Sequence, residues 1–314
     1  MRRLRKRTWM LCLSLLMAHT VAITLYPANA VATERTEGDL IVGRVTPNPG
    51  RHHADLRLML DYVVARMGDL GITRGTVRMA KNNRQMISML RRGEVDWVSE
   101  TAYSALQFRR DAGAELLLRR WKKGVESYHS VIFVRDDSDI ESIEDLVGKR
   151  IAFEDPGSTT GFFLPATSIA ESGITLEELY SPRAEPYIDT LGYAFSNAEI
   201  NSAAWVHKGI VSAAAFSNLD WGRESSAPPA IRARLKVIHE TKPVPRALEV
   251  VRGDLDPAVS DRLRSILVNM ASDQIGKQTL AEYQSTTRFD AIPDAARQRL
   301  DLLQSQIPQL ETRW

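Results

Sequence analysis

Apolar residues along this chain fall into two alternating patterns. Short aliphatic runs at 39–45 (DLIVGRV), 76–79 (TVRM), 95–98 (VDWV), 116–118, 130–134 (SVIFV), 149–153 (KRIAF), 210–216 (IVSAAAF), 237–238 and 248–251 read as strands. Between them apolar positions recur at helical spacing. Leu56, Met59, Leu60, Val63 and Met67 mark one such helix, and Met86, Met89 and Leu90 another. Further helices are expected at 103–112, from Ser158 toward Glu171, and at 203–208. Gly68, Gly93 and Gly113 stand where the first three should stop. From Pro257 to the end the pattern is helical, carried by Val259, Leu263, Ile266, Leu267 and Met270 and then by 295–303.

Strands alternating with helices predict an α/β fold with parallel sheets covered on both faces. The order fits two lobes joined by chain crossings. One crossing is expected near 135–139, directly after SVIFV, and the other near 242–246, where Pro243 and Pro245 punctuate the chain. The first lobe then comprises residues 31–135 plus about 246–314 with the C-terminal helices, and the second 136–245. A cleft between such lobes is a favoured place for a ligand.

Charge and the chain's start narrow the picture. The 314 residues carry a formal net charge of +2, but Arg2, Arg3, Arg5, Lys6 and Arg7 are crowded at the front. Without them 36 Lys and Arg face 39 Asp and Glu, a net charge of −3, which removes the electrostatic case for nucleic acid. An apolar stretch at 9–25 follows, then Pro27 and Ala28-Asn29-Ala30, the layout of a cleaved export signal. Cleavage is expected after Ala30, with Ala32 as the second choice, which places the mature protein in the periplasm. His19, Thr20 and Thr24 dilute the stretch as a membrane anchor. Cys12, the only cysteine, lies inside this leader, and Trp9-Met10-Leu11 ahead of it lacks the small residue of a lipidation site. A mature chain without thiols suits an oxidising compartment. Metal binding is not expected: His52 and His53 are neighbours that point apart, and no third ligand accompanies them.

The segment with chemistry in it is Asp155-Pro156-Gly157-Ser158-Thr159-Thr160-Gly161, placed directly after a strand and before an apolar helix. Hydroxyls here can cap the helix. They can equally join the free N–H groups at its positive end to cradle an anion. No Gly-Lys-Ser/Thr follows, so this is not a nucleotide P-loop. Glu100, Thr101 and Tyr103 follow another strand, at the carboxyl edge where open α/β sheets bind ligands, and there too a helix start is the competing reading. The Trp121-Lys122-Lys123 run reads as a solvated basic turn.

The run from Ser142 to Phe153, the Ser-Thr-Thr-Gly loop and Phe162-Phe163-Leu164-Pro165 together resemble the periplasmic phosphate, phosphite and phosphonate-binding proteins of ABC importers, the PhnD type. Gly43 to Pro47, Gly93-Glu94-Val95-Asp96 and Tyr128-His129-Ser130-Val131 are similar to further landmarks of that family. The resemblance covers roughly 39–290. It implies a two-lobed, type II periplasmic-binding-protein fold that closes on its ligand, with Ser158, Thr159 and Thr160 as phosphoryl ligands. The rest of the family's pocket is altered. Asn48 lies in the loop where an aromatic is usual, and Glu100, three residues before Tyr103, takes the place of a second tyrosine. The phosphonate-contacting histidine falls near Asn197 or Ala198, and the carboxylates that hold an amine fall near Asn218 and Ala247, with Arg246 beside the latter. Aminoethylphosphonate is therefore a poor candidate ligand.

The expected function is that of a monomeric solute-binding protein, without enzymatic activity or cofactor, that binds a small phosphorus oxyanion and delivers it to an ABC permease. The alternative is a ligand-sensing subunit that reports to a membrane sensor with the same fold. An exported phosphoryl-ester enzyme fits less well, because neither a Gly-x-Ser-x-Gly elbow nor a metal motif is present.

Overall fold

The computed structural model describes residues 37–46 and 48–311. The leader and its cleavage point lie outside the described residues. The chain first lays down β1 (Asp39–Val45), α1 (Pro49–Val64), β2 (Arg74–Ala80), α2 (Asn83–Arg91), β3 (Trp97–Glu100), α3 (Ala102–Ala112) and β4 (Glu115–Lys122). Local chemistry sets these boundaries. Proline opens α1, where a missing N–H costs nothing. The Asn82 side chain accepts from Gln85 N at the start of α2, and α3 stops at Gly113, which takes the left-handed conformation at φ 66°.

The chain crosses over through β5 (Ser127–Tyr128) and builds β6 (Ser130–Arg135), β7 (Arg150–Phe153), α4 (Leu164–Glu171), β8 (Thr175–Glu178) and β9 (Thr190–Phe195). Then come α5 (Glu199–His207), β10 (Ala213–Ser217), α6 (Asn218–Trp221), α7 (Pro229–Arg232) and β11 (Leu235–Glu240). It returns through β12 (Val244–Pro245), which pairs antiparallel with β5, and finishes with β13 (Ala247–Val251), α8 (Pro257–Asn269), α9 (Gln274–Glu282), β14 (Thr286–Asp290) and α10 (Asp294–Glu311).

Two six-stranded sheets result, in the orders β14-β4-β13-β3-β1-β2 and β11-β6-β10-β7-β9-β8. The fold is the expected two-lobed α/β type, but the sheets are mixed instead of parallel. β2, β1 and β3 run parallel, while β13 runs antiparallel to both β3 and β4, because it enters from the other lobe at the opposite end. In the second sheet β8, β9, β7 and β10 are parallel, and β6 alone runs against its neighbours, β10 and β11.

Three expectations need correction. The first crossing precedes SVIFV: β6 is a buried strand between β10 and β11 of the second sheet. The polar turn after it, where Ser138 N bonds to Arg135 O, resembles a linker in composition but stays within the second lobe. Residues 286–290 are not helical. They form β14 on the free edge of β4, with Thr286 and Phe289 buried. The last helix does not belong to one lobe. α10 packs against both α3 and α4, with Asp301 bonded to Arg109 of α3 at 2.5 Å and Gln306 to Glu171 of α4 at 2.6 Å. Its Leu300, Leu303, Ile307 and Leu310 join a core that contains residues of both sheets.

Candidate functional site: the facing edges of the two sheets

Topology places the chemistry-bearing loops on two edges. β1, β3 and β4 all end at one edge of the first sheet, and β13 begins there. That edge carries Asn48, Glu100, Thr101, Lys122 and Arg246. β7, β9 and β10 end at one edge of the second sheet, which carries Ser158, Asn197 and Asn218. Open α/β sheets bind ligands at such carboxyl ends.

On the second edge the chain leaves β7 through a turn in which Asp155 Oδ1 accepts from Gly157 N at 2.7 Å. Ser158 is a cap: its Oγ accepts from Gly161 N at 2.9 Å and donates to Glu154 Oε2 at 2.8 Å. The first turn beyond it, Thr159–Phe163, is π-helical and runs into α4. A Cβ at Gly161 would lie 2.5 Å from Glu154 Cβ, so glycine is needed for the carboxylate to sit over the turn. Burial, followed by repulsion from Glu199, Asp220 and Asp155, pushes the Glu154 carboxyl up to about 7, against the Ser158 hydrogen bond. Thr159 and Thr160 are buried, and the Thr160 carbonyl accepts from Ser130 Oγ at 2.6 Å.

Thr159 is where the edges meet. Its Oγ1 accepts from Tyr103 N, at the start of α3, at 2.9 Å. The Tyr103 ring stacks on Phe163 with centroids 4.3 Å apart, a contact worth about 0.5–1.5 kcal/mol beyond burial. The Thr159 hydroxyl also faces the buried phenol of the crossing residue Tyr128. Arg246 lies over that ring, 4.5 Å from its centroid. The structure therefore brings Thr159, Tyr103 and Arg246 together, with Tyr128 as the link.

Glu100 is half-buried and accepts from Val45 N at 3.1 Å. Burial raises its pKa, and Arg44 and then Arg120 oppose the shift. Thr101 caps α3 by position only, without a side-chain hydrogen bond. Asn218 spends its side chain on structure, with Oδ1 accepting from His129 N at 3.1 Å. Asn48 and Asn197 are exposed. Asn48 N donates to Thr46 Oγ1, and Asn197, left-handed at φ 61°, donates its N–H to Glu154 O. Among the described residues neither is drawn into the Thr159 junction by a side-chain hydrogen bond.

Sequence reasoning missed the basic side of the site. β4 does not stop at Leu118. It continues to Lys122, so Arg120 and Lys122 share a face and only Lys123 is the exposed turn residue. Burial, then the charges of Arg120, Arg246 and Arg44, push Lys122 down to about 7, against the pull of Glu100. Arg120 is anchored from behind. Its Nε lies 3.6 Å from the buried Glu249 carboxylate, which also accepts from Trp97 Nε1 at 2.5 Å and Ser99 Oγ at 2.6 Å. Alternation through LLLRRWK was the available signal.

Two mixed sheets joined by a two-strand crossing, with loop chemistry on facing edges, define a two-lobed periplasmic-binding-protein-like α/β protein. The model of the family described as "ABC transporter, phosphonate, periplasmic substrate-binding protein" matches residues 47–296, and the chain belongs to that family. Its members are exported substrate-binding components of importers. The Xanthomonas citri protein XAC2383 is 38% identical; its chloride-bound structure superposes with a TM-score of 0.83, covering 88% of this chain and 100% of that one. Its ATP-bound structure gives 0.82, with 88% and 99% covered. PhnD1 from Prochlorococcus marinus in complex with methylphosphonate shares the fold, at 18% identity and a TM-score of 0.60 over 86% of this chain and 98% of that one. A stretch of 52 residues is 40% identical to the phosphate-import protein PhnD of Mycolicibacterium smegmatis, and it spans 16% of this chain and 16% of that protein.

Proposed function

We propose that the mature chain, exported by its leader, is the solute-binding subunit of an ABC importer and holds a small phosphorus oxyanion between its lobes. The ligand replaces the direct contact between Thr159 and the start of α3, with the Ser158–Thr160 turn on one side and the Glu100–Tyr103 corner and Arg246 on the other. The observation that carries this reading is the Tyr103 N to Thr159 Oγ1 bond, which puts the motif hydroxyl at the junction of the two edges. Family membership and the ATP bound by the Xanthomonas citri relative support a ligand with a phosphoryl group. The Glu100 carboxyl is already faced by Arg44 and Arg120, and Asn218 is neutral and occupied by backbone, so neither place offers an amine an uncommitted counter-charge.

A thermal-shift screen of the mature protein against phosphate, phosphite, methylphosphonate, aminoethylphosphonate, pyrophosphate and sulfate tests it. A true ligand at 100 times its dissociation constant adds about 2.7 kcal/mol of stability. At least one phosphorus anion should raise the melting temperature and sulfate should not. A screen in which no phosphorus compound shifts the melt rejects the proposal.

A further inference from the structure

We propose that Arg44, Arg120 and Gln284, continued at the cleft edge by Lys122 and Arg246, form a seat for a second phosphoryl group, so that the preferred ligand is a linked di- or oligophosphate. This rests on the reading of the cleft as a phosphorus-anion site.

The seat is recognised by what it lacks. Nε and Nη1 of Arg44, Nη1 of Arg120 and Nε2 of Gln284 are buried without a hydrogen-bond partner among the described residues. All four atoms are donors; the buried Tyr283 hydroxyl, on the ring that Arg120 overlies, can donate as well as accept. Buried donors in folded proteins are almost always paired, and an unmet one is costly. A gathering with this excess of donors calls for an acceptor brought from outside. Arg120 is only 3% exposed, so water does not readily supply it.

The neighbouring arginine makes the contrast. Arg119, next on the same strand, is saturated by Asp290 at 2.7 and 2.9 Å and by Glu126 at 3.0 Å. Arg252 is likewise held by Asp96 and Asp254. Among the described residues Arg120 has the long approach to Glu249, a 3.5 Å bond to Gln284 Oε1 and the Tyr283 ring, whose centroid lies 4.8 Å from its guanidinium carbon. The cluster sets four cations, Arg44, Arg120, Lys122 and Arg246, against two carboxylates, Glu100 and Glu249. A single phosphonyl group at Thr159 leaves this excess unmet. A second phosphoryl group meets it, and the guanidinium fork suits its oxygens. Arg246 over Tyr128, and Tyr128 facing Thr159, give the connection along which a phosphate chain runs.

Such a ligand also moves a proton. Lys122 faces Arg120 on its own strand, Arg44 from β1, Glu100 from β3 and Arg246 from the crossing. β14 pairs with β4 through Thr286, and its Arg288 and Asp290 are engaged with each other and with Arg119. A phosphate beside Lys122 favours the ammonium, which takes its proton from solvent. Affinity should therefore fall as pH rises above about 7, where the free protein has lost that proton.

Calorimetry at about pH 8, where Lys122 is mostly neutral in the free protein, compares pyrophosphate, tripolyphosphate, methylphosphonate, orthophosphate and chloride. Wild type, Arg44→Gln and Lys122→Met are titrated, each first shown by its melt to be folded. Pyrophosphate or tripolyphosphate should bind at least about tenfold tighter than methylphosphonate, and Arg44→Gln should erase that preference while leaving methylphosphonate within about twofold. The binding enthalpy of the oligophosphate should vary with the ionisation enthalpy of the buffer in wild type, and less in Lys122→Met. Methylphosphonate or orthophosphate binding as tightly as pyrophosphate overturns the seat but leaves the proposed function standing. The same holds for a preference that survives Arg44→Gln. If chloride alone binds, or nothing does, both fall.

Discussion

Glu154 and Lys122 are displaced toward neutrality from opposite sides, each to about 7, and burial is the largest cause in both. The signs differ. Glu154 has its folded value above its ordinary 4.5, so its contribution to stability is complete below 4.5 and is lost as pH rises through about 7. Lys122 has its folded value below its ordinary 10.5, so its contribution is complete above 10.5 and is lost as pH falls through about 7. Without ligand, the two together impose a shallow minimum of stability near neutral pH. Melting temperatures across the range should show Glu154→Gln flattening the acid-side fall and Lys122→Met flattening the alkaline-side rise, each relative to wild type. Two variants with curves parallel to wild type would refute these assignments. At this scale the Ser158–Thr160 turn at a helix start was legible, because a hydroxyl run after a strand is a local signal. Glu154 over the turn was not, because nothing local says that Gly161 makes room for it.

The clearest lesson among elements comes from β4. The Trp121-Lys122-Lys123 run looks like a turn, yet the strand runs on through Arg119 and Arg120 to Lys122, because Asp290, Glu126 and Glu249 lie on neighbouring elements to receive the two arginines. Those partners are more than a hundred residues away for Asp290 and Glu249, so no window along the chain contains them. Glu249 ties the centre of the first sheet together, joining β13 to Trp97 and Ser99 of β3 and to Arg120 of β4. Glu249→Ala leaves Arg120 and the Trp97 indole without their buried acceptor. It should cost roughly 3–5 kcal/mol, the usual result of removing one partner of a buried pair. Denaturant unfolding measures this, and a loss below about 1 kcal/mol would show that water or rearranged side chains replace the carboxylate.

For the molecule as a whole, alternation of strand and helix sufficed to predict two α/β lobes, since that pattern depends on local periodicity alone. Where the chain crosses, and which strands reverse, depends on pairing between distant segments. The crossing was accordingly expected after β6 when it lies at β5, and β14 was hidden between two helices. The consequence for function is that the two crossing strands and α10 hold the two carboxyl edges face to face. In the proposed function, Thr159 at their junction is the point on which ligand binding turns. The most direct measurement is a phosphorus-31 NMR titration of methylphosphonate and of pyrophosphate with the mature protein and with Thr159→Ala. A shifted or broadened bound resonance is expected for at least one of them, with affinity lowered in Thr159→Ala by about 1–3 kcal/mol, the cost of a lost hydrogen bond to a charged group. Resonances that do not move with wild type, or equal affinities for wild type and Thr159→Ala, would contradict a phosphorus anion held at this junction.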